Sequence, residues 1–443
     1  MTTTAPTGRE EFDIAIICAI TAEYNAVCYI FDEFWDETGD RYGRAIGDMN
    51  TYTTGRIGKH NVVVALLPQM GKANAASAAS SFRSSYDGLE LVLLVGICGG
   101  VPAPHGEDGF DILLGDVVIS KSVVQYDFGR KYPDRFHRKD TFEDNMSKAN
   151  KNIRTLLRTL ETDRGIELLQ TQTAQFLVQL QSKVKGKKRQ ARAKPAYQYP
   201  GTANDRLFEA KYIHKHRSTP CDKCGSSPDA VCDNARHATC EDLGCEESQI
   251  VLRQALQEKK ETEKSSIEEA QEPLIHIGAV ASGDIVMKCG LDRDSIARDT
   301  DVIAFEMEGA GVWEEVPCII IKGVCDYADS HKNKSWQTFA AAAAAAAARA
   351  LLERYPKRDR VMRRISEQNG VASPVTGSEA TPRTGGPVLV PYREPAAMAD
   401  QKPQTIEEPQ RYPGVTFNAP VTGHNVITGM NVNGGGTMTN TFN

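Results

Sequence analysis

LLVGICGGVPAP, residues 93–104, decides the fold class. A wholly apolar run ends in Gly96, Gly99 and Gly100. Glycines in that place let the backbone approach a ligand closely with amide donors facing a crevice, or make a tight strand-to-helix turn. Short β-branched runs of the same kind recur at 13–19, 62–67, 91–95, 116–120, 275–281, 302–305 and 318–323. Continuous apolar runs without polar alternation read as strands covered on both faces, as in sheets flanked by helices. Helices are expected between them, at 23–32, 73–84, 309–315 and 335–354, and the class is α/β. The last contains an unbroken alanine run, 340–348, which predicts a close-packing helix of high intrinsic propensity.

The chain has 443 residues, 40% hydrophobic and 25% charged, enough for one large α/β domain with appendages. From about 144 to 272 the pattern degrades into an expected insertion of exposed helices and loops. Within it 181–194 is strongly basic and 257–272 is dominated by Glu and Lys. The α/β domain is expected to end near 355. A Pro-, Gly-, Ser- and Thr-rich linker follows over 356–412, and an Asn/Gly-rich segment over 413–443.

A formal net charge of −6 argues against a nucleic-acid partner, which needs a basic surface. The start, MTTTAPTGREEFD, has no apolar signal region, and no apolar stretch is long enough to span a bilayer, so a cytoplasmic protein without a membrane partner is expected. Eleven cysteines cannot all pair within one chain, which argues against a disulfide framework. Cys18, Cys98, Cys318 and Cys325 lie in strand-like runs and read as buried thiols.

The first strand, IICAITAE, delivers Glu23 to the start of a helix at the sheet edge where ligands collect, a position suited to a base. LLPQMGKANAA carries Gly71 into a small-residue helix. Three further motifs follow: ASGDIVM (281–287) with Ser282 and Asp284, FEMEGAG (305–311) with Glu306, Met307 and Glu308, and KGVCDYAD (322–329) with Asp326. Carboxylates at strand ends among apolar neighbours need something to bind them. Any one alone also reads as a satisfied or solvated loop residue.

In this order the motifs resemble the nucleoside phosphorylase superfamily, within it the methylthioadenosine/S-adenosylhomocysteine nucleosidase-like branch found as domains of fungal and bacterial signalling proteins. The resemblance covers about 12–124 and 275–354. It implies a three-layer α/β core with a mixed, partly closed sheet, to which composition adds the insertion and a disordered C-terminal tail. It also implies homo-oligomers in which a neighbour can complete the pocket. The implied activity is hydrolysis of the N-glycosidic bond of a purine nucleoside or nucleotide, adenine before other bases, with no cofactor required.

Residue by residue, Glu23 matches the base that activates water, and Glu308 the carboxylate that accepts from the ribose hydroxyls. Asp326 matches the acid that protonates the leaving base at N7, a step for which it must hold a proton in a buried setting. Met307 would line the sugar face. Gly71, Gly96, Cys98, Gly99, Ser282, Asp284 and Glu306 complete the expected substrate-binding set. Phosphorolytic members place an arginine where this chain has Leu94, which favours hydrolysis. A catalytically inactive nucleoside sensor or adaptor, and a phosphate-dependent nucleoside phosphorylase, are the competing readings.

A basic run contributes Lys121, Arg130, Arg135 and Arg138. It reads either as a solvated loop or as a polyphosphate grip, since guanidinium forks bind phosphate oxygens bidentately. Related domains of immune-type proteins cleave adenine from ATP, which makes ATP, giving adenine and ribose 5-triphosphate, the favoured substrate.

Two segments stand apart. Cys221, Cys224, Cys232 and Cys240, with Cys245, His214, His216 and His237 nearby, read as an unliganded reduced loop or as a structural zinc site. The segment 414–443 has no Asp, Glu, Lys or Arg and many amides, features of cross-β stacking. It resembles the amyloid signalling motifs through which fungal NLR-type receptors recruit effectors, and implies an innate-immunity or cell-death effector activated by assembly. The alternative is a disordered end.

Overall fold

The computed structural model describes residues 4–104, 109–139, 141, 146, 148–186 and 197–357. All of them fall in the first of two units, Met1–Met362; the second is Arg363–Asn443. The expected amyloid-like segment and the linker from residue 358 on lie outside the described residues.

The strands are β1 (Ile14–Cys18), β2 (Glu33–Phe34), β3 (Tyr52–Ile57), β4 (His60–Leu66), β5 (Leu91–Gly100), β6 (Val117–Gln125), β7 (Gly129–Lys131), β8 (Phe136–Arg138), β9 (Ile275–Ser282), β10 (Val302–Glu306) and β11 (Cys318–Asp326). Nine form one sheet in the order β10-β9-β6-β11-β5-β1-β4-β3-β2, and β7 and β8 make a separate hairpin. β1 pairs in parallel with β4 and β5, and β11 pairs in parallel with β5 but antiparallel with β6. β10 runs parallel to β9 and also closes back, antiparallel, onto the end of β5 through Ala304–Gly100 and Phe305–Gly99. The sheet is therefore mixed and partly closed, as expected. Closure brings the ends of β5, β9, β10 and β11 to one place.

Three layers follow from alternation along β1. Ile14, Ile16 and Cys18 pack into a cluster with Ala26 and Val27 of the helix Thr21–Tyr29 and with the alanine helix Gln337–Arg354. Ala15 and Ile17 face the opposite cluster, with Ala75, Ala78 and Phe82 of the helix Lys72–Ser85. The alanine run is buried throughout because its helix lies between the sheet and the helix Asp163–Gly186. Along 340–348 every alanine is buried, as close packing on both sides favours.

Gly323 of β11 shows how close that packing is: a Cβ built there would stand 2.0 Å from the Ala340 carbonyl oxygen. Gly323→Ala must push strand and helix apart. The expected outcome is a loss of about 1–3 kcal/mol, the usual cost of overpacking, measured as a lower urea midpoint.

One expectation is corrected, and of the two readings of the glycine run one is excluded. The segment expected to hold only exposed helices contributes Ile153, Leu157, Leu160, Leu169, Leu177, Leu180 and Tyr197 to the main core. Its helices Lys151–Leu160 and Asp163–Gly186 each carry a buried apolar stripe, which the charged residues between the apolar positions obscure in the sequence. The glycines 96, 99 and 100 make no strand-to-helix turn: β5 continues extended through all of them. At Gly99 the absent side chain gives way to Asp326 Oδ1 and the Ala328 methyl, both 2.9 Å from where a Cβ would stand.

Among the described residues, no helix is long and apolar enough to cross a membrane.

Candidate active site

A cavity of about 420 Å³ opens where the strand ends meet, lined by Glu23, Glu306, Glu308 and Asp326 and by the apolar side chains of Met70, Ile97, Met287, Phe305 and Met307. Cys98, Gly99, Lys332 and Lys334 also line it. The four carboxylates arrive from different elements, and each is held by its own local geometry.

Glu23 sits in the first turn of its helix and folds back on the N-terminus. Its Oε2 accepts from the amides of Ala19 (2.8 Å) and Ile20 (3.0 Å), and its Oε1 from Ile97 of β5 (2.9 Å). The crevice amide foreseen at the glycine strand thus points at Glu23. Gly96 is required beside it, because a Cβ there would stand 2.3 Å from a Glu23 carboxylate oxygen. Burial pushes the Glu23 carboxyl above its ordinary value; the Lys322 ammonium opposes this and the Glu308 charge adds to it.

Glu306 ends β10 and shapes the turn that follows. It accepts from the amides of Glu308 (3.0 Å) and Gly309 (2.9 Å), while Ser282 Oγ accepts from Ala310 (2.9 Å). Ser282 is therefore a support behind the cavity and does not line it. The turn presents Glu308, whose Oε1 accepts from the Gly71 amide (3.3 Å) and whose Oε2 accepts from Lys322 Nζ (3.0 Å).

Lys322 received no role from the sequence. It is almost fully buried in β11, with its ammonium 3.0 Å from Glu308 and 3.6 Å from Glu306. Burial pulls the ammonium down, but Glu308, Glu306 and Glu23 outweigh it and hold it above its ordinary value. The available signal was a lone cation inside the apolar strand CIIIKGVC. Burial likewise pushes the Glu306 carboxyl up, against Lys322.

Asp326 ends β11 and lines the same cavity. Its Oδ1 accepts from the Ala328 amide (2.9 Å), and its Oδ2 receives Lys332 Nζ at 3.0 Å and the Cys325 thiol at 3.3 Å. Lys332 is a second partner that sequence reasoning missed. Burial pulls its ammonium down, and the Asp326 carboxylate more than compensates.

The remaining expected residues divide. Cys98, Gly99, Glu306 and Met307 line the cavity, whereas Gly71, Gly96, Ser282 and Asp284 do not. Asp284 Oδ1 accepts from the Lys72 amide (2.9 Å), 3.1 Å from where a Gly71 Cβ would stand. Lys121 is ion-paired with Glu161 at 2.6 Å and does not line the cavity. Arg135 and Arg138, with Lys131 and Lys288, border an adjoining cavity of about 840 Å³, and Arg130 does not. The two cavities share Ile285, Val286 and Met287 as a wall.

The expected metal ligands regroup. Cys221, Cys224 and Cys232 cluster with His216, whereas Cys240 stands 3.8 Å from His214, beside Cys245.

Residues 13–176 match the phosphorylase superfamily. A nucleotide-binding leucine-rich repeat (NLR)-like protein of Hyaloscypha variabilis is 30% identical over 349 residues, 77% of this chain and 29% of that protein. A 5′-methylthioadenosine/S-adenosylhomocysteine nucleosidase of Mycobacterium bovis is 28% identical over 116 residues, 26% of this chain and 39% of the relative. The matched region thus spans under half the length of either relative. The futalosine hydrolase of Helicobacter pylori superposes with a TM-score of 0.43 at 15% identity, covering 78% of this chain and 98% of the other.

Proposed function

We propose hydrolysis of the N-glycosidic bond of a purine nucleoside or nucleotide, with ATP as the favoured substrate, for a chain whose residues 13–176 match the phosphorylase superfamily. The observation that carries this reading is the meeting of Glu23, Glu308 and Asp326 in one partly apolar cavity. A base, a sugar-binding carboxylate and an acid are the groups that the reaction needs.

In this reading the purine lies toward Asp326 and the ribose toward Glu308. As the N9–C1′ bond breaks, its electron pair moves into the purine and the Asp326–Lys332 pair supplies a proton at N7. Glu308, fixed by Lys322 and the Gly71 amide, accepts from the ribose hydroxyls. Its charge stabilises the positive character that develops at C1′. Glu23 takes a proton from the water that attacks C1′, a task suited to a carboxyl raised toward the working pH. Water is favoured over phosphate because Leu94, which by the resemblance stands where phosphorolytic members carry an arginine, is an apolar side chain packed in the core.

Lys131, Arg135, Arg138 and Lys288 line the adjoining cavity together with Asp127, Asp292 and Asp299, and its four cations against three carboxylates support a 5′-polyphosphate over a bare 5′ carbon. The name of the Hyaloscypha variabilis relative supports a link to NLR-type receptors; assembly through the segment 414–443, read from its uncharged, amide-rich composition, is the proposed trigger.

The test is release of free base from ATP, adenosine, methylthioadenosine and inosine, with and without phosphate, beside Arg135→Ala/Arg138→Ala. Adenine released from ATP without phosphate is expected, and the double variant should raise KM for ATP about tenfold or more while sparing adenosine, as loss of charged phosphate contacts predicts. Turnover only with phosphate, yielding ribose 1-phosphate, would make the protein a phosphorylase. No base from any substrate would leave the sensor reading.

A further inference from the structure

Residues 214–250 are held by very little apolar surface. Their helices, Asp222–Gly225 and Cys240–Leu243, are single turns, and the only fully buried apolar side chains in the local cluster are Cys224, Ala235 and Leu243. So small a core does not repay the conformational entropy of ordering a segment of this length. Two convergent sets of thiols and imidazoles lie within it.

We propose that this segment holds two zinc ions: one bound by His216, Cys221, Cys224 and Cys232, the other by His214, Cys240, Cys245 and His331. Ligand atoms of the first four, and of His214, Cys245 and His331, lie within 4.8 Å of one another in each set. With Zn–S of about 2.3 Å and Zn–N of about 2.0 Å, a tetrahedral site has S···N edges of about 3.5 Å. His216 Nδ1 stands 3.5 Å from Cys224 Sγ and 3.4 Å from Cys232 Sγ; His214 Nδ1 stands 3.5 Å from Cys245 Sγ and 3.8 Å from Cys240 Sγ. These four N···S separations are close to the edges of such tetrahedra, and Cys240 joins the second set beside His214 and Cys245.

The surroundings are those of thiolate and imidazole ligands. Backbone amides of Cys232 and Ala235 donate to Cys224 Sγ and Cys232 Sγ, each at 3.4 Å, which stabilises charge on sulfur. His214 Nε2 lies 3.0 Å from the Ala238 carbonyl, so that nitrogen carries the proton and Nδ1 keeps its lone pair for a metal. His331 is only 6% exposed, and its buried Nε2 has no hydrogen-bond partner. Stacking on Phe208 at 4.2 Å between ring centroids fixes its plane. A buried imidazole nitrogen without a partner is costly unless it serves as a ligand.

The second site does more than fold the insertion. His331 belongs to the loop after β11, next to Lys332, which pairs with Asp326 in the cavity. Zinc at that site ties the insertion to the loop carrying the cavity's ion pair.

The test is zinc content of the full chain, purified under reducing conditions and dialysed against a weak chelator, by mass spectrometry. Two zinc ions per chain are expected, falling to one in Cys221→Ser and to one in His331→Ala. Cobalt substitution separates the sites: thiolate-to-cobalt absorption should drop more in Cys221→Ser, which loses the three-thiolate site, than in His331→Ala. If Cys221→Ser fails to fold, Cys232→His offers zinc an equivalent ligand and should keep both ions. Amide exchange at residues 327–334 should quicken on chelation in the unsubstituted chain. A folded chain that takes up no zinc after reconstitution, or that links these cysteines as disulfides, overturns the proposal. Two ions retained in His331→Ala overturn the second site.

Discussion

Asp326→Asn should lower kcat for base release by about 10²–10⁴-fold, the range for loss of a positioned general acid, with KM changed far less. Asparagine keeps the volume and can still accept from the Ala328 amide, so the loop is preserved. It cannot pass a proton from Lys332 to the base, which is the role proposed for the pair. The purine would then have to leave as an anion. Glu23 is untouched by this substitution, which gives the experiment a second readout. Burial sets Glu23 above the ordinary glutamate value, so the acid limb of the pH profile of kcat/KM should lie above about 4.3 and keep its position in the variant. An Asp326→Asn protein with near-normal kcat would remove Asp326 from the chemistry. Loss through KM alone would make it a binding residue.

How much of this site the sequence disclosed depended on whether a residue's role is local. The runs that became β1, β4, β5, β6, β9, β10 and β11 were legible because strands covered on both faces lack polar alternation. β3, with TYTTGRI ending at Ile57, carries threonines and an arginine beside the edge of the sheet and was passed over. Glu23, Glu308 and Asp326 stood out as carboxylates at strand ends. Lys322 lies inside the same quoted motif as Asp326, yet its meaning is tertiary: β11 must run between β5 and β6 before its side chain reaches Glu308. The glycine strand left two readings open for a related reason. Its glycines serve neighbours that arrive from distant segments, Glu23 at Gly96 and Asp326 at Gly99, and no turn at all. The cysteine spacing could suggest a metal but not its ligands, since His331 is separated from Cys245 by the whole of β9, β10 and β11.

Lys322→Met should cost about 3–5 kcal/mol of stability, the effect of removing one partner from a buried ion pair. Methionine fills the strand position, so the loss comes from charge and not from a cavity. Without the ammonium, Glu308 and Glu306 remain buried with amide donors and the Ser282 hydroxyl but no cation against them. The sign of the pH dependence follows. In the unsubstituted protein the folded-state value of Lys322 is raised, so its stabilisation is fully present below the unfolded lysine value of about 10.4 and is lost only as pH rises through the folded one. Across pH 5–8 that contribution is constant. In the variant, Glu23 and Glu306 lose the cation that draws their raised values down and must rise further. A carboxyl with a raised folded value holds a proton that the unfolded chain has released, so stability falls as pH climbs from the ordinary glutamate value through the raised one. The deficit of Lys322→Met, read from urea midpoints, should accordingly be larger at pH 8 than at pH 5, and Lys322→Arg should recover part of it by restoring the charge. Equal deficits at both pH values would mean that packing, and not the ammonium, holds this corner of the cavity. Because the same charge fixes Glu308, the unequal deficit would also tie the stability of the strand ends to the geometry that the proposed hydrolysis requires.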